Sequence, residues 1–244
     1  MKKELQERSS KKKLEHVALI MDGNGRWAES LGKGRTYGHK MGAERIGDVV
    51  KTAIENDIKA ITLYAFSTEN WKRPETEVTY IMNLIKSYFK RQRKKMMERK
   101  IRFNYIGDID DPKVDPSIRK MFKETKEETK DNDKLTLTIA FNYGAREEIV
   151  RAVKKISSQV VNEEKDIDDI NYQDIKNNLY TYDLPDIDLV IRTSGEVRLS
   201  NYLLLQLAYS ELYFTKTYWP AFDKVEFEKA IENYYRRDRR FGGL

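Results

Sequence analysis

Short apolar runs alternate with longer stretches of helical periodicity along these 244 residues. The apolar runs fall at residues 17–21, 60–66, 101–106, 135–141 and 189–192, with a short sixth at 212–214. Helical patterns lie between them, near residues 42–55, 77–100, 116–129, 145–160 and 172–178, and a last one spans 224–239. Each run is too short for a helix, and each intervening stretch is long enough to cross from one parallel strand to the next. The alternation therefore predicts an α/β fold: a single domain with a mostly parallel central sheet of about six strands, flanked by helices. In such a sheet, ligands gather at the carboxyl ends of the strands. No repeat and no Pro-rich linker divides the chain, so residues 14–244 are read as one domain behind a basic, disordered tail at residues 1–13.

The four segments richest in chemistry, Asp22–Trp27, Ser67–Arg73, Asn142–Arg146 and Arg192–Ser200, all fall at expected strand ends. The first is Met21-Asp22-Gly23-Asn24-Gly25-Arg26-Trp27. A glycine-rich turn between strand and helix presents backbone N–H groups to an anion, while a carboxylate and a guanidinium stand beside them. An Asn-Gly turn with an acid capping the next helix is the plainer alternative. Gly34-Arg35-Thr36-Tyr37-Gly38-His39 follows, where Arg35 can grip phosphate oxygens in pairs. Ser67-Thr68-Glu69-Asn70-Trp71-Lys72-Arg73-Pro74 reads as a functional loop, or as a surface loop with an aromatic plug. The stretch from Arg192 to Ser200 holds two arginines, three hydroxyls and a glycine, and is a second anion-binding candidate. Glu211 offers another oxygen ligand for a metal ion.

Composition narrows the chemistry. The chain has no cysteine, which excludes disulfides, thiolate zinc sites and cysteine nucleophiles. Its two histidines, His16 and His39, cannot make a histidine-rich metal site, so a hard, oxygen-liganded ion such as Mg2+ remains open. A net charge of +6 favours an anionic partner, although that charge spread over 244 residues is also ordinary. No window approaches the ~18 apolar residues of a transmembrane span, and the N-terminus lacks a signal-peptide core. A cytoplasmic protein is expected. Lys11-Lys12-Lys13 reads as a solvated tail, with contact to anionic lipid as the alternative.

The helical pattern at 77–100 is unusual. Val78, Ile81, Met82, Ile85, Tyr88 and Phe89 share one face, widened by Leu84. That stripe either faces the core or lines a channel for a long apolar substrate. The basic run after it, Lys90 to Lys95, reads as a solvated face. Neither acidic stretch, at 108–111 or 166–169, completes an Asp-Asp-x-x-Asp motif, so the all-helical isoprenoid synthases are a poor match. No Walker sequence or dinucleotide fingerprint occurs either.

Several strings resemble the signatures of the cis-prenyltransferases. They are the run from His16 to Ala28, Arg35-Thr36-Tyr37-Gly38-His39, the run from Tyr64 to Trp71 with Arg73-Pro74, and Asn142-Tyr143-Gly144. Further on come Arg192-Thr193-Ser194-Gly195-Glu196 with Arg198-Leu199-Ser200-Asn201, the run from Ser210 to Phe214, Trp219-Pro220, and Arg239-Arg240-Phe241-Gly242-Gly243. They appear in family order from residue 16 to 243. Two positions depart from the pattern: Leu205 stands where many relatives have Trp, and Ala145 where a second Gly is common. Neither supplies a charged ligand.

The resemblance implies a Mg2+-dependent homodimer that joins isopentenyl diphosphate to an allylic diphosphate with cis geometry. It implies catalytic roles for Asp22, which would hold Mg2+ and assist departure of the allylic diphosphate, and for Asn70, the family's usual proton acceptor. An amide is a poor base, so a released phosphate oxygen is the alternative acceptor. Gly23, Asn24, Gly25, Arg26, Trp27, Arg35 and His39 would bind the allylic substrate. Ser67, Trp71 and Arg73 would support Asn70 and, with Thr68 and Glu69, would bind substrate. Arg192, Arg198, Leu199 and Ser200 would bind isopentenyl diphosphate, and Glu211 would join Asp22 at the metal. Release of a hydrocarbon product implies peripheral membrane contact. A shorter-chain synthase or a non-catalytic partner subunit of the same fold is the alternative. A nucleic-acid-binding domain is expected against, since no recognition module supports one.

Overall fold

A computed structural model describes residues 13–237. The expected tail up to residue 12 and the Arg239–Gly243 motif lie outside the described residues. Six strands form one sheet: β1 (His16–Ile20), β2 (Ala60–Ser67), β3 (Ile101–Ile106), β4 (Leu135–Tyr143), β5 (Leu189–Arg192) and β6 (Glu211–Phe214). All pairings are parallel, in the order β3-β4-β2-β1-β5-β6. Seven helices are described: α1 (Asn24–Ser30), α2 (Arg35–Glu55), α3 (Glu75–Glu98), α4 (Pro116–Glu128), α5 (Ala145–Val161), α6 (Tyr172–Asn177) and α7 (Lys224–Arg236). No helix is long and apolar enough to cross a membrane among the described residues.

The pleat sends alternate residues to opposite faces. Val17, Leu19, Ile61, Leu63, Leu137 and Ile139 join one large core with α2, α3, α4 and α7. Ala18, Ile20, Ala140 and Val190 meet Tyr202, Leu203 and Leu207 on the other face, where α5 begins. Because both faces are covered, the central strands read as continuous apolar runs, and β1 is buried at every position. His16 belongs to this core. Its ring lies between the Thr62 hydroxyl (2.8 Å) and the Pro185 carbonyl (2.7 Å), and burial pushes its pKa down to about 4.

The strands and the later helices fall where the pattern puts them. The entry helices differ. The chain turns helical at Asn24, and α2 begins at Arg35, seven residues before the periodic stretch expected at 42–55. Glycines at 38, 42 and 47 weaken the local helical signal. Packing overrides that weakness: a Cβ at Gly38 would stand 1.9 Å from the Asn24 carbonyl oxygen. The glycine is what lets α1 lie against α2.

Candidate active site

β1 ends at the centre of the sheet, between β2 and β5. Asp22 follows two residues later, with its own backbone N–H donated to Thr193 Oγ1 (2.9 Å) beyond the end of β5. Gly23 then turns the chain with φ 96°, a left-handed conformation that favours glycine. A side chain there would also strike Tyr218 and Ser194, at 2.6 and 2.7 Å from a Cβ. Helix α1 starts at once, and no side chain caps its N-terminus.

The Asp22 carboxylate is the junction of two arginines. Oδ2 accepts from Arg192 Nη2 (2.8 Å), and Oδ1 from Arg26 Nη2 (3.1 Å) and the Gly23 N–H (2.7 Å). Partial burial opposes ionisation, but the bond and charge of Arg192, with Arg26 and Gly23, outweigh it and hold the carboxyl below its ordinary pKa. Arg192, the last residue of β5, is 4% exposed. Its Nη1 donates to Ser200 Oγ (2.8 Å) and to the Arg198 carbonyl. Arg26 also reaches Glu196 (2.9 Å) and Ser194 Oγ (2.6 Å), and Glu196 pairs in turn with Arg198.

A second cluster forms around Glu77 at the start of α3. Arg73 donates to it (2.9 Å), His39 Nε2 meets it (3.2 Å), and Arg35 lies 3.5 Å away. Arg35 and His39 sit one turn apart on α2, so both face the same carboxylate. Burial drives the His39 pKa down more strongly than Glu77 raises it, so the ring is neutral near pH 7. Between the clusters, Asn70 closes a short 3-10 turn (Thr68–Lys72). Its Oδ1 accepts the Ser67 N–H (3.1 Å), which directs the amide nitrogen, a donor, to the remaining contacts.

A cavity of about 860 Å3 opens here. Asp22, Gly23, Asn24, Gly25, Arg26, Arg35, His39, Ser67, Glu69, Asn70, Arg73, Arg192 and Ser200 all line it. The structure brings together in one chamber what the sequence scatters over nearly 180 positions. The α3 stripe meets both the core and an open cavity. Ile81, Leu84, Ile85, Tyr88 and Phe89 line the cavity, with Ile46 of α2 and Ile139 of β4, while Met82 packs in the core.

Other expected residues stand outside the wall. Trp27 stacks on Tyr37, with ring centroids 5.8 Å apart. Trp71 donates to Asn142 Oδ1 (2.8 Å) and packs on Phe66. Thr68 touches Glu69 (3.3 Å), Arg198 pairs with Glu196, and Leu199 packs into the smaller core. Glu211 is not brought to Asp22 within one chain. It opens β6 opposite Leu189, which pairs with Val17. Five residues of strand, roughly 16 Å, therefore separate it from Asp22 along the sheet, and it pairs with Arg237 (2.6 Å). Sequence reasoning missed Glu77 and left Ser194 and Glu196 unassigned. The four-residue spacing from Arg73 to Glu77 was the available signal.

Residues 20–242 match the prenyltransferase family described as "Putative undecaprenyl diphosphate synthase". The chain belongs to this family. An isoprenyl transferase of Fusobacterium nucleatum is 50% identical over 229 residues, covering 94% of this chain and 96% of its own. A farnesyl-diphosphate-specific ditrans,polycis-undecaprenyl-diphosphate synthase of Buchnera aphidicola is 45% identical, covering 97% and 94%. The lavandulyl diphosphate synthase of Lavandula x intermedia, solved with dimethylallyl diphosphate, superposes with a TM-score of 0.90 at 31% identity, covering 93% of this chain and 97% of its own. As a prenyltransferase, the protein has to hold diphosphate groups beside hydrocarbon. Its cavity has that division, with charge at the strand ends and an apolar wall along α3.

Proposed function

We propose that this prenyltransferase condenses isopentenyl diphosphate with an allylic diphosphate, farnesyl diphosphate above all, in a Mg2+-dependent cis elongation. The product is a long polyprenyl diphosphate, undecaprenyl diphosphate for the lipid carrier of cell-wall synthesis. One observation carries the reading: the Asp22 carboxylate is shared by Arg26 and Arg192 in a cavity that is also lined by the hydrocarbon side chains of α3.

In the reaction, the allylic C–O bond breaks and a C–C bond forms to the terminal carbon of the isopentenyl unit, which then loses a proton. The first-turn N–H groups of α1, with Arg26, Arg35 and neutral His39, bind the departing diphosphate. Arg73 is held beside them through Glu77. Arg192, Ser200 and Arg198 bind the isopentenyl diphosphate. Asn70, whose oxygen already accepts from Ser67, acts as a donor that orients a diphosphate. The proton then passes to a diphosphate oxygen.

The donor set fits Mg2+, which keeps several waters and binds through one or two carboxylates plus phosphate oxygens. Asp22 is such a carboxylate, and no group of three acids or histidines that could cage a metal occurs among the described residues. When bound, Mg2+ supplies charge neutralisation between two diphosphates that would otherwise repel. Glu211 joins it only from a second copy of the chain. The edge position of β6, with Leu212 exposed, supports a homodimer there. A cytoplasmic enzyme with peripheral membrane contact would release the hydrocarbon product.

The test is incubation of the purified protein with Mg2+, farnesyl diphosphate and labelled isopentenyl diphosphate, followed by sizing of the lipid products. Extended cis-prenyl chains are expected. Folded protein that gives no elongation would sink the proposal.

A further inference from the structure

Five arginines line the cavity: Arg26, Arg35, Arg73, Arg146 and Arg192. Four are committed to carboxylates, Arg26 and Arg192 to Asp22, and Arg35 and Arg73 to Glu77. The Arg146 guanidinium is the exception, with no ion pair or hydrogen bond among the described residues.

Its position makes this informative. Arg146 is in the first turn of α5, where the partial positive charge of the helix end disfavours a cation. Glu147 and Glu148 share that turn but face elsewhere. Glu147 accepts from Asn201 Nδ2 (3.1 Å), and buried Glu148 accepts from the Tyr143 hydroxyl (2.5 Å) and the Tyr180 N–H (2.5 Å). Glu69 also accepts from Asn201 Nδ2 (3.1 Å), so the exposed Arg146 guanidinium stands near two carboxylates but is paired with neither. A cation set against the helix dipole without an ion pair is a local conflict of the kind found at functional positions.

Asn201 fixes where Arg146 stands. Its carbonyl accepts the Ala145 N–H (2.8 Å), and its Oδ1 accepts the Arg146 N–H (2.9 Å). Those amides are thereby engaged, so an anion at this corner has to be met by the side chain. Asn201 follows Ser200, the hydroxyl that accepts from Arg192. The Arg146 backbone N–H bonds Asn201 and the Arg192 guanidinium bonds Ser200. The two residues therefore adjoin the same dipeptide, one at the start of α5 and one at the end of β5, and both line the cavity.

We infer that Arg146 is a further diphosphate-binding residue, donating to the diphosphate that Arg192 and Ser200 hold, that of isopentenyl diphosphate. The assignment rests on the function proposed above. The other four arginines lining the cavity are held by acids, whereas Arg146, with no ion pair among the described residues, meets a diphosphate without giving up a carboxylate.

Titration calorimetry on Arg146→Ala and Arg146→Lys, with isopentenyl diphosphate and separately with farnesyl diphosphate, tests it. Loss of a charged hydrogen bond predicts roughly 10- to 100-fold weaker isopentenyl diphosphate binding in the alanine variant. The lysine variant, which keeps the charge but loses the planar fork, should recover part of that loss. It carries the test if the alanine variant melts early. Farnesyl diphosphate affinity should stay within about twofold of wild type. Unchanged isopentenyl diphosphate binding would overturn the assignment, and so would equal weakening toward both ligands, which marks a merely structural role. Wild-type protein that binds neither diphosphate would overturn the proposed function itself, and this assignment with it.

Discussion

Asp22→Asn separates the charge of this residue from its shape. The amide keeps an oxygen for the Gly23 N–H, but Arg192 loses its anionic partner. Arg192 is 4% exposed and cannot turn to water, whereas the Arg26 side chain is 40% exposed and loses little. One charged hydrogen bond to a buried guanidinium is worth about 1.5–3 kcal/mol. For a chain of this size, that corresponds to a fall of roughly 3–12 °C in Tm. The pH dependence identifies the cause. The Asp22 pKa is lowered in the folded protein, so its contribution is present above the unfolded value, near 3.8, and fades as pH falls through the folded one. Urea denaturation of both proteins from pH 7 downward should show a gap that shrinks between pH 5 and pH 3. Equal stability at pH 7, or a gap that stays constant to pH 3, would refute the reasoning. Turnover of folded Asp22→Asn protein should also drop by about two to three orders of magnitude, as expected for a lost electrostatic contact to a leaving group.

Three other perturbations probe separate parts of the site. Glu77→Ala removes the common partner of Arg35, His39 and Arg73, and should lower turnover by roughly 10- to 100-fold in a steady-state assay. Wild-type kinetics would show that the three need no common anchor. Gly38→Ala places a methyl group 1.9 Å from the Asn24 carbonyl oxygen, and should destabilise the protein by about 1–3 kcal/mol in chemical denaturation. A neutral result would mean that α1 moves away from α2 without strain. Ile85→Trp fills the apolar wall of the cavity, so chromatographic sizing should find shorter products, while an unchanged length distribution would place the growing chain elsewhere.

The strand ends were legible in the sequence because each apolar run stops abruptly at polar residues, with glycine among them after β1, β3, β4 and β5. That was enough to gather Asp22, Asn70 and Arg192 at one edge of a parallel sheet. The start of α2 was not legible, since Gly38 and Gly42 weaken the local pattern and only packing against α1 explains them. The division of the α3 stripe between wall and core was also hidden. A helical period shows which side chains share a face, not whether that face meets protein or space. Glu77 and Glu196 looked like ordinary acids in a chain that is 35% charged, and their role depends on arginines brought in from distant segments. Glu211 shows the limit of strand-end reasoning. It belongs to a strand segment, but at its beginning, and pairing register alone separates it from Asp22.

Ile20 and Arg192 are register partners on hydrogen-bonded neighbours. The two halves proposed to bind diphosphate are therefore mounted on adjacent rails of a lattice whose spacing, about 4.8 Å, is set by backbone hydrogen bonds. Neither loop length nor side-chain choice tunes that interval. Most of the apolar wall, by contrast, hangs on α2 and α3, which can be repacked without touching the rails. A scaffold divided this way can change the length of what it builds while the distance between the reacting groups stays constant.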